Sequence, residues 1–305
     1  MSEYSNNIID KYNNGQLYPD FLVKIVNDKI NYLLESYNQT PQILKKAITY
    51  SMKNGGKRFR PIMCLLTAES LGNNYSRVLP TACAIEFIHT YSLIHDDLPS
   101  IDNDDYRRGR LTCHKVFGEN IAILTGDALF AEALNIILKY QECSAETKLI
   151  ILKEICEASG ASGMVAGQTV DVYYTGKKIT KKLLEYMHEN KTGKLITAAV
   201  KCGAILSAAC DEYLKKFIQY ANNIGIVFQI TDDIIDLESS DEIAGKTIGK
   251  DTIQKKNTFP SIYGISKSKK IASEKIEEAI EIVKNMNIKS DWLIKISKFL
   301  LLRKN

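Results

Sequence analysis

The stretch Phe87–Arg110, FIHTYSLIHDDLPSIDNDDYRRGR, decides the reading of this chain. An apolar run ends in the aspartates Asp96, Asp97, Asp102, Asp104 and Asp105, and Arg107, Arg108 and Arg110 follow directly. His89 lies seven residues before Asp96 and Ser92 four before it, so an α-helix sets all three on one face. Pro99 disfavours continued helix at Leu98. Asp102 therefore cannot join that face by regular geometry, but a turn through Leu98–Asp102 would fold it back beside Asp96. Anions are unfavourable at a helix C-terminus, where the macrodipole is negative. The cluster needs a positive partner.

A second acid cluster occupies Phe228–Leu237, FQITDDIIDL. With Asp232 at zero on an ideal helix, Gly225 falls at about 20°, Asp236 at about 40°, Gln229 at about 60° and Asp233 at about 100°. Three carboxylates and an amide share one face, with a glycine below them that leaves room. Like charges at this spacing repel, and two such clusters in largely apolar surroundings are hard to explain as solubility devices. Hard oxygen donors without cysteine or clustered histidine point to Mg²⁺, which keeps waters and shares its sites with substrate phosphates. Basic segments supply a complement: Lys57, Arg58 and Arg60 in GGKRFRP, the arginines after the first cluster, and Lys246 and Lys250 in GKTIGKD. Arginine forks suit phosphate oxygens. Together these groups describe a pocket for two diphosphates, one held through metal and one held directly by Arg and Lys.

Working outward, the 305 residues suffice for a large core. With 6 Pro and 17 Gly the chain has few helix breakers. A net charge of +4, without a basic stripe carrying interleaved aromatics, gives no case for nucleic acid. The start, MSEYSNNIIDKYNNG, lacks the basic-then-apolar order of a signal peptide. The most apolar long stretch, Leu195–Cys210, carries Lys201 and is too short to span a bilayer. The 7 cysteines include no C-x-x-C and sit mostly in apolar segments, which points to a reducing cytoplasm without structural zinc.

Apolar residues recur at helical spacing through Tyr18–Tyr37, Pro41–Asn54, Pro61–Gly72 and Pro80–Leu98. The same spacing predicts helices over Asp127–Gln141, Ala145–Ser159, Thr180–Asn190, Lys194–Ala209, Asp211–Glu238, Lys269–Asn285 and Asp291–Leu302. No segment sustains period-two alternation. Asn103–Asn120, Tyr174–Lys178 and Ser239–Asn257 read as irregular. The expectation is an all-α helical bundle around a central cavity, as one domain over residues 1–305.

GGKRFRP, SLIHDDLPSIDNDDYRRGRLTCHK, GDALF, GQTVD, KTGKL, FQITDDIIDL and GKTIGKD…KNTFP, in this order from about Lys45 onward, resemble the trans-type isoprenyl (polyprenyl) diphosphate synthases, within their bacterial farnesyl and plant-like geranylgeranyl branch. The resemblance implies an isoprenoid-synthase-type homodimer. It assigns Asp96, Asp97 and Asp102 to a first metal motif and Asp232, Asp233 and Asp236 to a second. It assigns Arg107 to the allylic diphosphate, and Lys57, Arg60, His89 and Arg108 to isopentenyl diphosphate. Lys191, Thr192, Gln229 and Lys246 match residues around the allylic diphosphate and the developing cation, and Gln168 and Asp171 fall in the G-Q-x-x-D stretch. The implied reaction is ionisation of an allylic diphosphate assisted by three Mg²⁺ ions, then attack by isopentenyl diphosphate. Tyr91, five residues before Asp96, resembles the aromatic that closes the groove in farnesyl (C15) enzymes; a geranylgeranyl (C20) product is the alternative. A non-catalytic subunit of this fold would be expected to lose acids or basic ligands, and a terpene cyclase would leave GGKRFRP unexplained. A purely structural bundle would explain neither acid cluster.

Overall fold

A computed structural model of the chain describes residues 16–238 and 256–303. Helices α1 (Asp20–Glu35), α2 (Gln42–Met52), α3 (Phe59–Ser70) and α4 (Leu79–Asp96) lead to a two-residue hairpin, β1 (Tyr106–Arg107) and β2 (Arg110–Leu111). Then come α5 (Cys113–Phe117), α6 (Glu119–Tyr140), α7 (Ala145–Ser159), α8 (Met164–Tyr173) and α9 (Lys181–His188). A single π-turn, Glu189–Gly193, joins α9 to α10 (Lys194–Leu206), and α11 (Asp211–Glu238) follows. The end of the chain forms α12 (Phe259–Tyr263), α13 (Ile265–Lys284) and α14 (Asp291–Leu302). The all-α expectation holds; the hairpin is the one sheet among the described residues.

The arrangement follows from which faces are apolar. In α1, Leu22, Val26, Ile30 and Leu33 repeat at three and four and are all buried. The helix α4 is buried almost all round, from Pro80 through Ile88, so it runs through the middle of the bundle. It packs mainly on α6, while α11 packs mainly on α13 and α10 joins α3 to α11. The two helices that carry the acid clusters, α4 and α11, are therefore both central.

Several expectations change. The segment before Asp127 is helical from Glu119; the hairpin and α5 lie inside Asn103–Asn120, which read as irregular; and α8 and α12 were not expected. α13 starts at Ile265. Leu195–Cys210 is not the stretch to weigh against a membrane: α6 alone among the described residues has the length and composition to cross one. Its inner positions Ala122, Leu129, Ala133 and Ile137 are buried in the core. All seven cysteines are free thiols, with Cys64, Cys83, Cys113 and Cys202 buried.

Candidate active site

The C-terminus of α4 builds the first wall. The chain reverses just past the helix: the Asp102 N–H donates to the Asp96 carbonyl at 2.9 Å and the Asp104 N–H to the Asp97 carbonyl at 3.1 Å. This sets Asp96 and Asp102 side by side along a cavity of about 800 Å³. Burial pushes the Asp96 carboxyl up to about 6, Asp102 adds to the rise, and Lys191 pulls against it. Asp97 behaves differently. It turns away from the cavity and accepts from Arg107 Nε at 2.8 and 2.9 Å and from Nη2 at 2.5 Å. Arg107 lines the cavity, so Asp97 fixes the guanidinium that the cavity sees.

The second wall is the regular helix α11. Asp232, Asp233, Asp236 and Gln229 all reach the same cavity, as their shared face requires. Here too the middle acid is fully engaged. Asp233 accepts from Gln229 Nε2 at 2.7 Å and from the Phe259 backbone N–H at 2.8 Å, at the start of α12. Gly225 does leave room, and the backbone of Gly193 fills it: a Cβ there would stand 2.8 Å from the Gly193 Cα. This contact presses the π-turn against α11. Thr192 can then donate to Gln229 Oε1 at 2.7 Å, and Lys191 to Asp171 Oδ2 at 2.6 Å. Gly167 allows the same close approach from α8, since a Cβ would strike the Lys191 backbone. Single π-turns inside helices recur at functional sites.

A separate basic group lies beyond the first wall. Arg60 Nη1 stands 3.4 Å from His89 Nε2. An arginine can only donate, so Nε2 accepts and the proton sits on Nδ1. Burial, reinforced by Arg60 and Arg108, drives the His89 imidazole well below its ordinary range and keeps it neutral. Burial also brings Arg60 down to about 10. Arg108 donates to the Gly55 carbonyl and lies where a Cβ on Gly56 would sit. Arg60, His89 and Arg108 line the cavity. Lys57 stands behind them, its ammonium 5.3 Å from the Phe299 ring centroid and lowered by burial and by Arg303. Arg58 is a correction to the reading of GGKRFRP. It is 4% exposed and donates to Asn27 at 2.9 Å, Glu86 at 2.7 Å and the Met52 carbonyl at 2.6 Å, so it ties the loop to α1, α2 and α4 instead of facing the cavity.

Lys246 and Lys250 lie outside the described residues. Arg110, like Arg58, does not face the cavity: it is exposed and lies 4.6 Å over the Tyr50 ring. The other residues that the resemblance assigns converge on this cavity, with Asp97 and Lys57 outside its lining. Three residues escaped the sequence reading. Lys256 donates to Asp102 at 3.0 Å, and Arg303 pairs with Asp232 at 2.8 Å while lying 4.2 Å over the Phe228 ring. His188 lines the cavity, 5% exposed, stacked on Phe259 at 5.2 Å. The KNTFP segment offered a signal for Lys256. Arg303, one of two adjacent basic residues after an apolar helix, offered none.

Comparison with known proteins agrees with this geometry. The Polyprenyl synthetase family signature matches residues 41–295. A geranylgeranyl diphosphate synthase of Cyanophora paradoxa is 43% identical, over 92% of this chain and 94% of that protein. A farnesyl diphosphate synthase of Micrococcus luteus is 44% identical, over 90% and 92% respectively. The crystal structure of a geranyltransferase from Legionella pneumophila superposes with a TM-score of 0.83 at 31% identity, covering 99% of each chain. Similarity over most of the chain, with both acid clusters and the basic set in one cavity, leads to one conclusion: the chain belongs to the Polyprenyl synthetase family and is a prenyltransferase.

Proposed function

We propose that the chain joins isopentenyl diphosphate head to tail to dimethylallyl and then to geranyl diphosphate, and releases farnesyl diphosphate. The observation that carries this reading is the single cavity in which carboxylates from α4 and α11 face Lys191 and Arg107, while Arg60, His89 and Arg108 form a second basic group. Two diphosphates of different fate need two such places.

The donor set fits Mg²⁺. Asp96, Asp102, Asp232 and Asp236 offer hard carboxylate oxygens on two walls without a thiolate. No three acids or imidazoles among the described residues form a ready cage, and a magnesium site completed by substrate phosphate needs none. These four acids would hold three ions, which when bound supply charge neutralisation at the leaving diphosphate. Lys191 and Arg107 direct further positive charge at the same group, where negative charge develops as the C–O bond breaks. Thr192 and Gln229, locked to each other, present oxygen dipoles to the allylic cation. Arg60, His89 and Arg108, with Lys57 behind them, hold isopentenyl diphosphate so that its double bond meets the cation. The new C–C bond forms, and a proton leaves for the departed diphosphate. No side chain acts as nucleophile. Leu93, Ile101, Met164, Val165 and Phe228 line the cavity and exclude water that would quench the cation.

Tyr91, buried at 9% exposure in the cavity wall, favours farnesyl over geranylgeranyl product. The relatives do not separate the two, since proteins named for either product match almost equally well. The intact acid and basic sets argue against a non-catalytic subunit. The second basic group argues against a cyclase, which has a single diphosphate to hold. We read the whole chain as one synthase domain working in the cytoplasm, which free buried thiols support. Ile123, Leu124 and Leu138 on α6 with Leu149 and Ile150 on α7 are exposed apolar side chains, and a second copy of the chain would cover them in a homodimer.

Incubation with isopentenyl diphosphate, Mg²⁺ and either dimethylallyl or geranyl diphosphate, followed by chromatography of the dephosphorylated alcohols, tests this. Farnesol as main product supports it. Geranylgeraniol as main product defeats the farnesyl assignment, and no condensation defeats the enzyme reading.

A further inference from the structure

The tyrosine that faces the cavity does not stand alone. Tyr91 and His95 lie one turn apart on α4 and both line the cavity. Their rings meet edge to face at 5.8 Å. On the neighbouring helix α6, Ile123, Gly126 and Phe130 fall at successive spacings of three and four and form one stripe. Each of the three touches the pair. The Phe130 ring meets Tyr91 edge to face at 5.4 Å and 87°. The Ile123 carbonyl lies 3.1 Å from His95 Nε2, and so accepts from it. Gly126 lies under the His95 ring so closely that any Cβ would collide with it. Phe130 does not line the cavity whereas Tyr91 does, so the second ring stands on the far side of the first.

We propose that α6 is the other half of the stop that ends chain growth. Phe130 backs the Tyr91 ring, and Gly126 with the Ile123 carbonyl seats His95 beside it. Chain length is set by this two-helix wall and not by the identity of residue 91 alone. The inference rests on the reading of Tyr91 as the stop and names what holds it there. An aromatic side chain on a helix has two open χ1 wells. A growing chain that presses on Tyr91 meets resistance only while Phe130 fills the space into which the ring would swing. Removing Phe130 leaves that space empty, because close-packed surroundings relax only partly around a deletion. A methyl on Gly126 acts in the opposite sense. It displaces His95, which has α6 on one side and the cavity on the other, so the ring intrudes on the space for product.

Product chromatography on four single variants tests this, with thermal melting as a check on folding. Phe130→Ala should shift the main product from farnesol toward geranylgeraniol, with geraniol formation from dimethylallyl diphosphate retained. Phe130→Leu, which keeps apolar volume and is the variant to rely on if the alanine form does not fold, should give a smaller shift in the same direction. Gly126→Ala should raise the share of geraniol at the expense of farnesol. Tyr91→Ala should lengthen the product regardless of α6. If Tyr91→Ala lengthens the product while both Phe130 variants and Gly126→Ala keep the native distribution, α6 has no part in the stop and the inference is overturned. If Tyr91→Ala itself leaves farnesol unchanged, the reading of Tyr91 fails first.

Discussion

The two acid walls solve one problem in different ways. On α11 the acids stand inside a regular helix, and their shared face follows from spacing alone. On α4 they stand at a helix C-terminus, where the dipole disfavours them, and the chain must turn back to bring Asp102 to Asp96. Each wall also ties its middle acid into the scaffold, although Asp233, unlike Asp97, still lines the cavity. The outer pair, Asp96 with Asp102 or Asp232 with Asp236, faces the cavity. The middle acid serves as a strut: Asp97 holds Arg107, and Asp233 holds Gln229 and the start of α12. The acids of one motif thus differ in what already holds them. One of its members fixes the scaffold on which the others work.

That division can be broken experimentally. The largest effect belongs to the outer acids. Asp96→Ala and Asp232→Ala should each lower kcat by a hundred- to a thousand-fold or more, about the loss seen when one group that stabilises developing charge is removed. Far-UV circular dichroism should stay unchanged; full activity in either variant would remove that residue from the site. Next comes Asp233→Asn, which places an amide N–H₂ against one of the two donors that this buried acid now accepts from. It should cost about 1–3 kcal/mol in urea unfolding, the range for an unsatisfied buried polar group. Asp97→Asn puts the same amide against the Arg107 donors at a buried position and should likewise cost about 1–3 kcal/mol, but a loosened Arg107 should in addition raise KM for the allylic diphosphate about ten-fold. An Asp97→Asn protein with an unchanged KM for the allylic diphosphate would remove the assignment of Asp97 as the residue that positions Arg107.

The smallest effect tests the bridge between the walls. Burial alone would raise Asp171, but the Lys191 ammonium at 2.6 Å holds its carboxyl below the usual range. A depressed carboxyl stabilises the fold above its unfolded pKa, and the gain is lost as pH falls through the folded value. Asp171→Asn should therefore lower the urea midpoint at pH 7, and the gap from the parent protein should close below about pH 4, the ordinary range of an aspartate. A gap that is constant with pH would mean that the pair contributes no charge-dependent stability.

How much of this was legible depended on distance along the chain. The face of α11 could be read from residue spacing, and so could the need for a turn after Pro99. Pairings across the fold could not. Lys256 meets Asp102 from 154 residues away, and Arg303 reaches Asp232 from the far end of the chain. The π-turn left no trace in composition, so the chain read as two separate helices around Lys191. α8 was missed because Gly163, Gly167 and β-branched Val165, Thr169, Val170 and Val172 are poor helix formers. Packing overrides that preference: Gly167 is there because the Lys191 backbone passes where a side chain would be. Arg58 looked like one more phosphate ligand, since sequence cannot reveal that Glu86 waits for it on α4.

The central claim is that both walls grip one metal-bound diphosphate together. The direct test is calorimetric binding of a non-ionisable allylic diphosphate analogue, with and without Mg²⁺, to the parent protein, Asp96→Asn, Asp232→Asn and the double variant. A shared grip predicts Mg²⁺-dependent binding, a large loss from either single change, and a double variant scarcely worse than either one. Binding that is indifferent to Mg²⁺, or losses from the two changes that simply add, would contradict it.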